Sequence, residues 1–219
     1  HIYSEHSDAA LIQEKLESHI VADEVELETG QPVSALAVVG TTLEGLGDLS
    51  GVECVIPGRR SSRPSHELIF KDASARQAWL DQADMNLVSS DWILAERMQA
   101  GISQLHSEVL PGDLPEEGGL LEDAVSLTKG CFLGQEVIAR MHNLGRPQRG
   151  LFILDGPGPL PGALSPVENS DGKTLGELRT SIPVAGAWQG VAMLKTRFVE
   201  SGMQLMLSGQ TVRVDKTYG

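Results

Sequence analysis

Residues 129–136 read KGCFLGQE, and they hold one of the chain's 2 cysteines between Gly130 and Gly134, with Lys129 ahead of it and Gln135 and Glu136 behind. The stretch after Gly134 predicts a helix to Leu144, because Leu133, Val137, Met141 and Leu144 recur on one side. Gly145 supplies a C-terminal stop and Pro147 follows it. Beyond residue 149 the period changes from helical to alternating. RGLFIL at 149–154 reads as a strand, DGPGPLPG at 155–162 as a wide turn or linker, and VAMLKTRF, MQLML and TVRV as further strands separated by turn signals. A domain boundary is therefore expected near Arg149, with a small all-β barrel or sandwich after it.

Upstream of the motif the pattern mixes both periods. Ser7 and Asp8 can cap a helix with Ile12, Leu16 and Ile20 on one face, and Val25 and Leu27 alternate with acids as a short strand. PVSALAVVG at 32–40, a small Leu43–Leu46–Leu49 helix and VECVIP at 52–57 give a β-α-β rhythm. HELIF at 66–70 follows as a strand, then helices over 72–83 and 89–100, the second capped by Ser89 or Ser90. Residues 101–127, which include LPGDLPEEGG, carry no periodicity, and aperiodic segments of that length are usually functional or disordered.

Composition bounds the function classes. A chain of 219 residues with 41% hydrophobic content can bury a sizeable core, and no apolar run approaches the roughly 20 residues that a membrane-spanning helix needs. The sequence opens at His1 without the basic-then-apolar layout of a signal peptide, and a segment upstream of it is expected. Cys54 and Cys131 form no CxxC pair, which favours a reducing compartment, cytosolic or matrix-like. A net charge of −13 argues against a surface that grips nucleic acid. The charge is uneven: residues 1–29 carry eight acids against Lys15, whereas 129–149 carry four bases against Glu136, so a local anion site near the motif fits.

The framed cysteine has two readings. Just ahead of a helix N-terminus, unpaired amide hydrogens and the macrodipole favour negative charge, and Lys129 adds to them; the thiolate is the form that attacks electrophiles or binds soft metals. Alternatively Cys131 is a buried structural residue beside an ordinary Glu136–Arg140 helix pair. A Cys131–His142 dyad fails on reach, since eleven residues at a rise of roughly 1.5 Å separate the two by about 16 Å. The remaining histidines lack ligand spacing, so no metal site is expected, and neither a Walker-type loop nor GxGxxG occurs.

KGCFLGQEVIAR at 129–140 resembles the K-G-C-[aromatic]-x-G-Q-E signature of the YgfZ-type folate-binding proteins, relatives of the glycine-cleavage aminomethyltransferase linked to iron–sulfur cluster assembly or repair. ERMQAGI at 96–102 is similar to that family's Arg-x-x-x-Gly-Ile helix end, LPEEGGL at 114–120 to its Pro-x-Glu-x-x-Leu loop, and GKTLGELRTS at 172–181 to a turn of its C-terminal barrel. The resemblance implies an α+β fold: a folate-binding, aminomethyltransferase-like α/β body over 1–148, N-terminally incomplete and with a break near 30–33, followed by a small C-terminal β-barrel over 149–219. It also implies a tetrahydrofolate (or reduced folate) cofactor, with Cys131 and Lys129 as the functional pair. Trp92, Arg97, Glu117, Gln135 and Glu136 become the cofactor-binding candidates.

On this resemblance the chain is a folate-binding accessory protein for iron–sulfur cluster assembly or repair, and indirectly for tRNA modification. Its implied partners are folate and iron–sulfur proteins or their assembly machinery, without direct nucleic-acid or membrane binding. The implied compartment is the cytoplasm, or the mitochondrial matrix in a eukaryote. The alternative is an aminomethyltransferase that moves a one-carbon unit to tetrahydrofolate. Two departures weigh against it: Gln99 stands where that branch tends to carry a carboxylate able to accept two hydrogen bonds from a pterin, and Cys131 stands near the place of an acid. Whether the protein is an enzyme stays open at this stage.

Overall fold

The computed structural model describes residues 1–219 apart from His1, His6, Ala22, Asp23, Leu133, Gly145, Arg146 and Gly219, and describes only the backbone of 141–144. Two compact units result, one of residues 1–58 and 64–86, the other of residues 59–63 and 87–219.

In the first unit, helix α1 (Ala9–Glu17) starts where Asp8 accepts a hydrogen bond from the Ala10 amide at 2.7 Å. None of its residues is buried, so the cap rather than a core holds its start. Strands β1 (Ser34–Val39), β2 (Cys54–Pro57) and β3 (Ser65–Phe70) form a sheet in the order β1-β3-β2. Both β1 and β2 pair antiparallel with β3, so they run parallel to each other with β3 inserted between them. The β-α-β rhythm is thus split, and the link between β1 and β2 is a 3₁₀ turn, Glu44–Leu46.

Helix α2 (Ala73–Leu80) is capped by Asp72 and packs Trp79 against Phe70, centroids 6.2 Å apart, in a core with Val38, Leu46 and Leu68. The Trp79 indole donates to the Asp48 carbonyl at 2.9 Å, which removes the polar cost of burying it. The expected strand at Val25 and Leu27 does not form. Val25 is exposed, and three interleaved glutamates give that segment no buried face to align.

In the second unit, strands β4 (Arg149–Pro157), β5 (Pro166–Glu168), β6 (Thr174–Val184), β7 (Ala187–Lys195), β8 (Gln204–Leu207) and β9 (Gln210–Thr217) close into a barrel in the order β4-β7-β6-β5-β8-β9. Phe152 and Leu154 of β4 belong to one core cluster, with Val167, Leu178, Trp188 and Ala192. Leu151 and Ile153 belong to another, with Val191 and Met193 and with Met98 of helix α3 (Ser90–Gln99). Successive side chains of a strand point to opposite faces, so a strand buried on both sides must be apolar without interruption, and LFIL is. The fold is α+β, with the barrel beginning at Arg149 and residues 87–148 belonging to the same compact unit as the barrel.

Candidate functional site

Ser89 accepts from the Trp92 amide at 3.2 Å and starts α3, which then carries Trp92, Glu96 and Arg97 in succession. Trp92 is half-buried, and the Arg63 guanidinium lies 5.2 Å from its ring centroid. Arg63 is fixed there by Glu96 at 2.8 Å, and Glu96 also accepts from the Ser61 hydroxyl at 2.7 Å. The hydrogen bonds from Arg63, then Ser61, hold the Glu96 carboxyl below its ordinary range.

Arg97 points the other way, into the core. Its guanidinium donates to both oxygens of Glu108, at 2.6 and 2.7 Å, and to the Tyr218 hydroxyl at 3.0 Å. Burial works against the charge, but hydrogen bonding and attraction to Glu108 outweigh it and keep Arg97 above its ordinary value. Glu108 also accepts from the Gln104 amide at 2.9 Å, and Tyr218 donates to the Ile102 carbonyl at 2.7 Å. The first part of the aperiodic segment after α3, residues 102–108, is therefore tied to the core by one buried ion pair.

Glu117 is the centre of a second group. It receives two hydrogen bonds from Arg149, at 2.9 and 2.6 Å, and one from the Leu114 amide at 3.0 Å. Arg149 also reaches Asp113 at 3.1 Å, and Asp113 pairs with Arg179 at 3.2 Å. The hydrogen bonds that Arg149 donates to Glu117 are the main reason it titrates above its ordinary value. Arg97 and Glu117 thus spend their charges on Glu108 and Arg149, and the two groups share no residue. Sequence reasoning missed Glu108, Asp113 and Tyr218, since nothing in local periodicity marks a partner 121 positions away, as Tyr218 is from Arg97.

The motif lies between α4 (Leu121–Ala124) and α5 (Gln135–Leu144). The Lys129 amide donates to the Ser126 hydroxyl at 3.2 Å, and the Lys129 ammonium sits 4.7 Å from the Phe132 ring centroid. Gln135 closes the loop from the helix side: its side-chain oxygen accepts from the Phe132 amide at 3.2 Å while its own amide donates to the Phe132 carbonyl at 3.2 Å. This reciprocal pair resembles a capping box. Gly134 has φ of +83°, a conformation that a side chain disfavours. Glu136 falls in the first helical turn, where the macrodipole favours an acid.

Cys131 is a free, exposed thiol on the loop ahead of that turn, so the buried-structural reading does not hold. Val137 of the expected apolar side is exposed too; Leu133, the side chains of Met141 and Leu144, and the Gly145 stop lie outside the described residues.

For tetrahydrofolate, the residues present fit in part. Trp92 offers an aromatic ring, and Lys129, Gln135 and Glu136 offer polar groups at or near the surface, whereas Arg97 and Glu117 already pair with Glu108 and Arg149. A thiol alone cannot hold an iron–sulfur cluster, which usually takes four such ligands. Among the described residues no helix is long and apolar enough to cross a membrane.

No family model matches the chain. Among curated proteins it is similar to the mitochondrial iron–sulfur cluster assembly factor IBA57 of Mus musculus, 31% identical over 115 residues that make up 51% of this chain and 32% of the mouse protein. It is similar to the same factor of Homo sapiens, 36% identical over 89 residues, 38% of this chain and 25% of the human one. With the tRNA-modifying protein YgfZ of Colwellia psychrerythraea it shares 54% identity over 33 residues, 15% of this chain and 10% of that protein. The chain therefore spans about a third or less of these relatives. A crystal structure of the glycine cleavage system aminomethyltransferase T from Bartonella henselae superposes with a TM-score of 0.61 at 15% identity, covering 74% of this chain and 48% of that one, which establishes likeness of fold.

Proposed function

We propose that this chain is part of a tetrahydrofolate-binding accessory protein that supports iron–sulfur cluster assembly or repair, and through it tRNA modification, with Cys131 as its functional thiol. The observation that carries the reading is the free, exposed Cys131 on a loop braced by Gln135, in a chain whose sequence is similar to iron–sulfur cluster assembly factors. A structural cysteine has no need to face solvent, whereas a thiol that meets a partner or a small molecule must. Lys129 would favour an anionic ligand at the loop, and Trp92 would offer its ring to the pterin. Because one thiol is too few for a cluster, the partner supplies the remaining ligands. The compartment is the cytoplasm, or the mitochondrial matrix in a eukaryote.

Replacing an exposed thiol by a hydroxyl should shift stability by no more than about 0.5 kcal/mol. Cys131→Ser in the full-length protein is therefore expected to melt normally and to bind tetrahydrofolate in titration calorimetry as the parent does. Iron–sulfur enzyme activities in a strain lacking the protein should nevertheless fall when this variant replaces it. Full complementation at normal abundance removes the functional thiol, and absence of binding heat with the parent protein removes the folate.

A further inference from the structure

Trp92 is a large aromatic side chain outside the cores. Leu94, Ala95 and Met98 of the same helix belong to or pack against the core shared with the barrel, whereas among the described residues Trp92 packs against no core cluster. Its indole N–H meets no acceptor among those residues and is not buried, unlike that of Trp79, which the Asp48 carbonyl takes. The ring is nevertheless held in place.

Trp92 and Glu96 stand four positions apart on α3 and therefore on one face of it. A guanidinium bonded to Glu96 is brought over the Trp92 ring by that spacing. Arg63, which belongs to the same compact unit as α3, makes the bond twice, through Nε at 3.2 Å and Nη2 at 2.8 Å, with its Cζ 5.2 Å from the ring centroid. Ser61 closes the arrangement: its buried side chain accepts from the Arg63 amide at 3.1 Å and donates to Glu96 at 2.7 Å. Arg63 is thus fixed at both its main chain and its guanidinium, although about half of its side chain is exposed. A half-exposed ion pair contributes little to stability, so the consequence of fixing Arg63 falls on the ring beside it.

We propose that Arg63, held by Glu96 and Ser61, is the positioning residue of the folate site. It covers one face of the Trp92 ring and immobilises the indole, so that the flat ring of the ligand stacks on the opposite face. The inference rests on the folate reading and adds to it which face is taken and what keeps the ring ready. A ring ordered before binding spares the complex the cost of freezing a rotamer, which is how pre-organisation gains affinity.

The test is titration calorimetry of the full-length protein with tetrahydrofolate, joined to ¹⁵N relaxation of the Trp92 indole N–H, whose resonance is identified by its loss in Trp92→Phe. Arg63→Ala is expected to raise the Kd about fivefold to tenfold. In the ligand-free variant the order parameter of the Trp92 indole should fall from the rigid scale, about 0.85, to below about 0.6, while the Trp79 and Trp188 indoles stay rigid and report an intact fold. Unchanged affinity in Arg63→Ala, or a Trp92 indole that stays rigid, overturns the positioning role and leaves the folate reading standing. Tighter binding by Arg63→Ala would make Arg63 a lid over the ring and overturns that role as well. Absence of binding heat with the parent protein removes the folate reading and the inference together.

Discussion

Cys131 and Cys54 differ in access. Cys131 is exposed on its loop, and Cys54 is half-buried in β2, paired with Ile69 of β3. A limiting amount of iodoacetamide near neutral pH should therefore label Cys131 first, and peptide mass spectrometry showing Cys54 first would contradict the placement of the motif. Tyr218 makes a second prediction at this scale. Burial, then the charge of Glu108, pushes its phenol well above the ordinary value, against the opposing pull of Arg97. The unfolded chain gives up that proton near pH ~10 and the folded one later, so the neutral phenol's contribution is whole below pH ~10 and declines as pH rises beyond it. Tyr218→Phe should cost about 1–2 kcal/mol at neutral pH by removing the hydroxyl's hydrogen bonds with the Ile102 carbonyl and Arg97, and should flatten the loss of stability above pH ~10 in denaturant titrations. Parallel pH curves for both proteins would rule this linkage out.

Elements with a local code were legible in the sequence. Asp8, Asp72 and Ser89 sit at the caps where their side chains meet the first helical amides, because capping is decided within three residues. The segment after α3 has no such code. Its first part is held by Glu108 meeting Arg97 and Tyr218 and by the Leu105–Val109 bridge, and its later part by Asp113 and Glu117 meeting Arg149 and Arg179. Breaking a buried pair by removing one charge costs about 3–5 kcal/mol, so Glu108→Gln should lower the unfolding free energy on that scale and speed amide exchange through residues 103–109. Glu122→Gln, at an exposed position of α4, should stay within about 0.5 kcal/mol of the parent. Equal stability of the two variants would mean that the loop is held by something other than the ion pair.

For the whole molecule, charge limits its partners. With Lys and Arg totalling 17 against 30 acids, counterion release offers little, and several of the arginines are committed to carboxylates, Arg63 to Glu96, Arg97 to Glu108 and Arg149 to Glu117. The protein should therefore show no retention of tRNA on a filter at about 0.15 M salt, and salt-sensitive retention would shift the proposed link to tRNA modification from indirect to direct. The likeness in fold to an aminomethyltransferase covers 74% of the chain, yet at 15% identity it leaves the chemistry to the residues themselves.

From the sequence alone came α1, α2 and α3 with their caps, the helix behind Gly134, the alternating tail that becomes the barrel and the glycine-framed loop that carries Cys131, since each depends on neighbours within a turn or a strand. Tertiary structure alone decided which charges were spent. Arg97 and Glu117 read as ligand-binding positions in their motifs, but their partners Glu108 and Arg149 lie 11 and 32 positions away and meet them only once the unit has folded. It also placed β3 between β1 and β2, and left the Trp188 indole facing Gly156 without an acceptor. Strand order and the pairing of buried polar groups are set by which surfaces exclude water together, and local spacing carries no record of that.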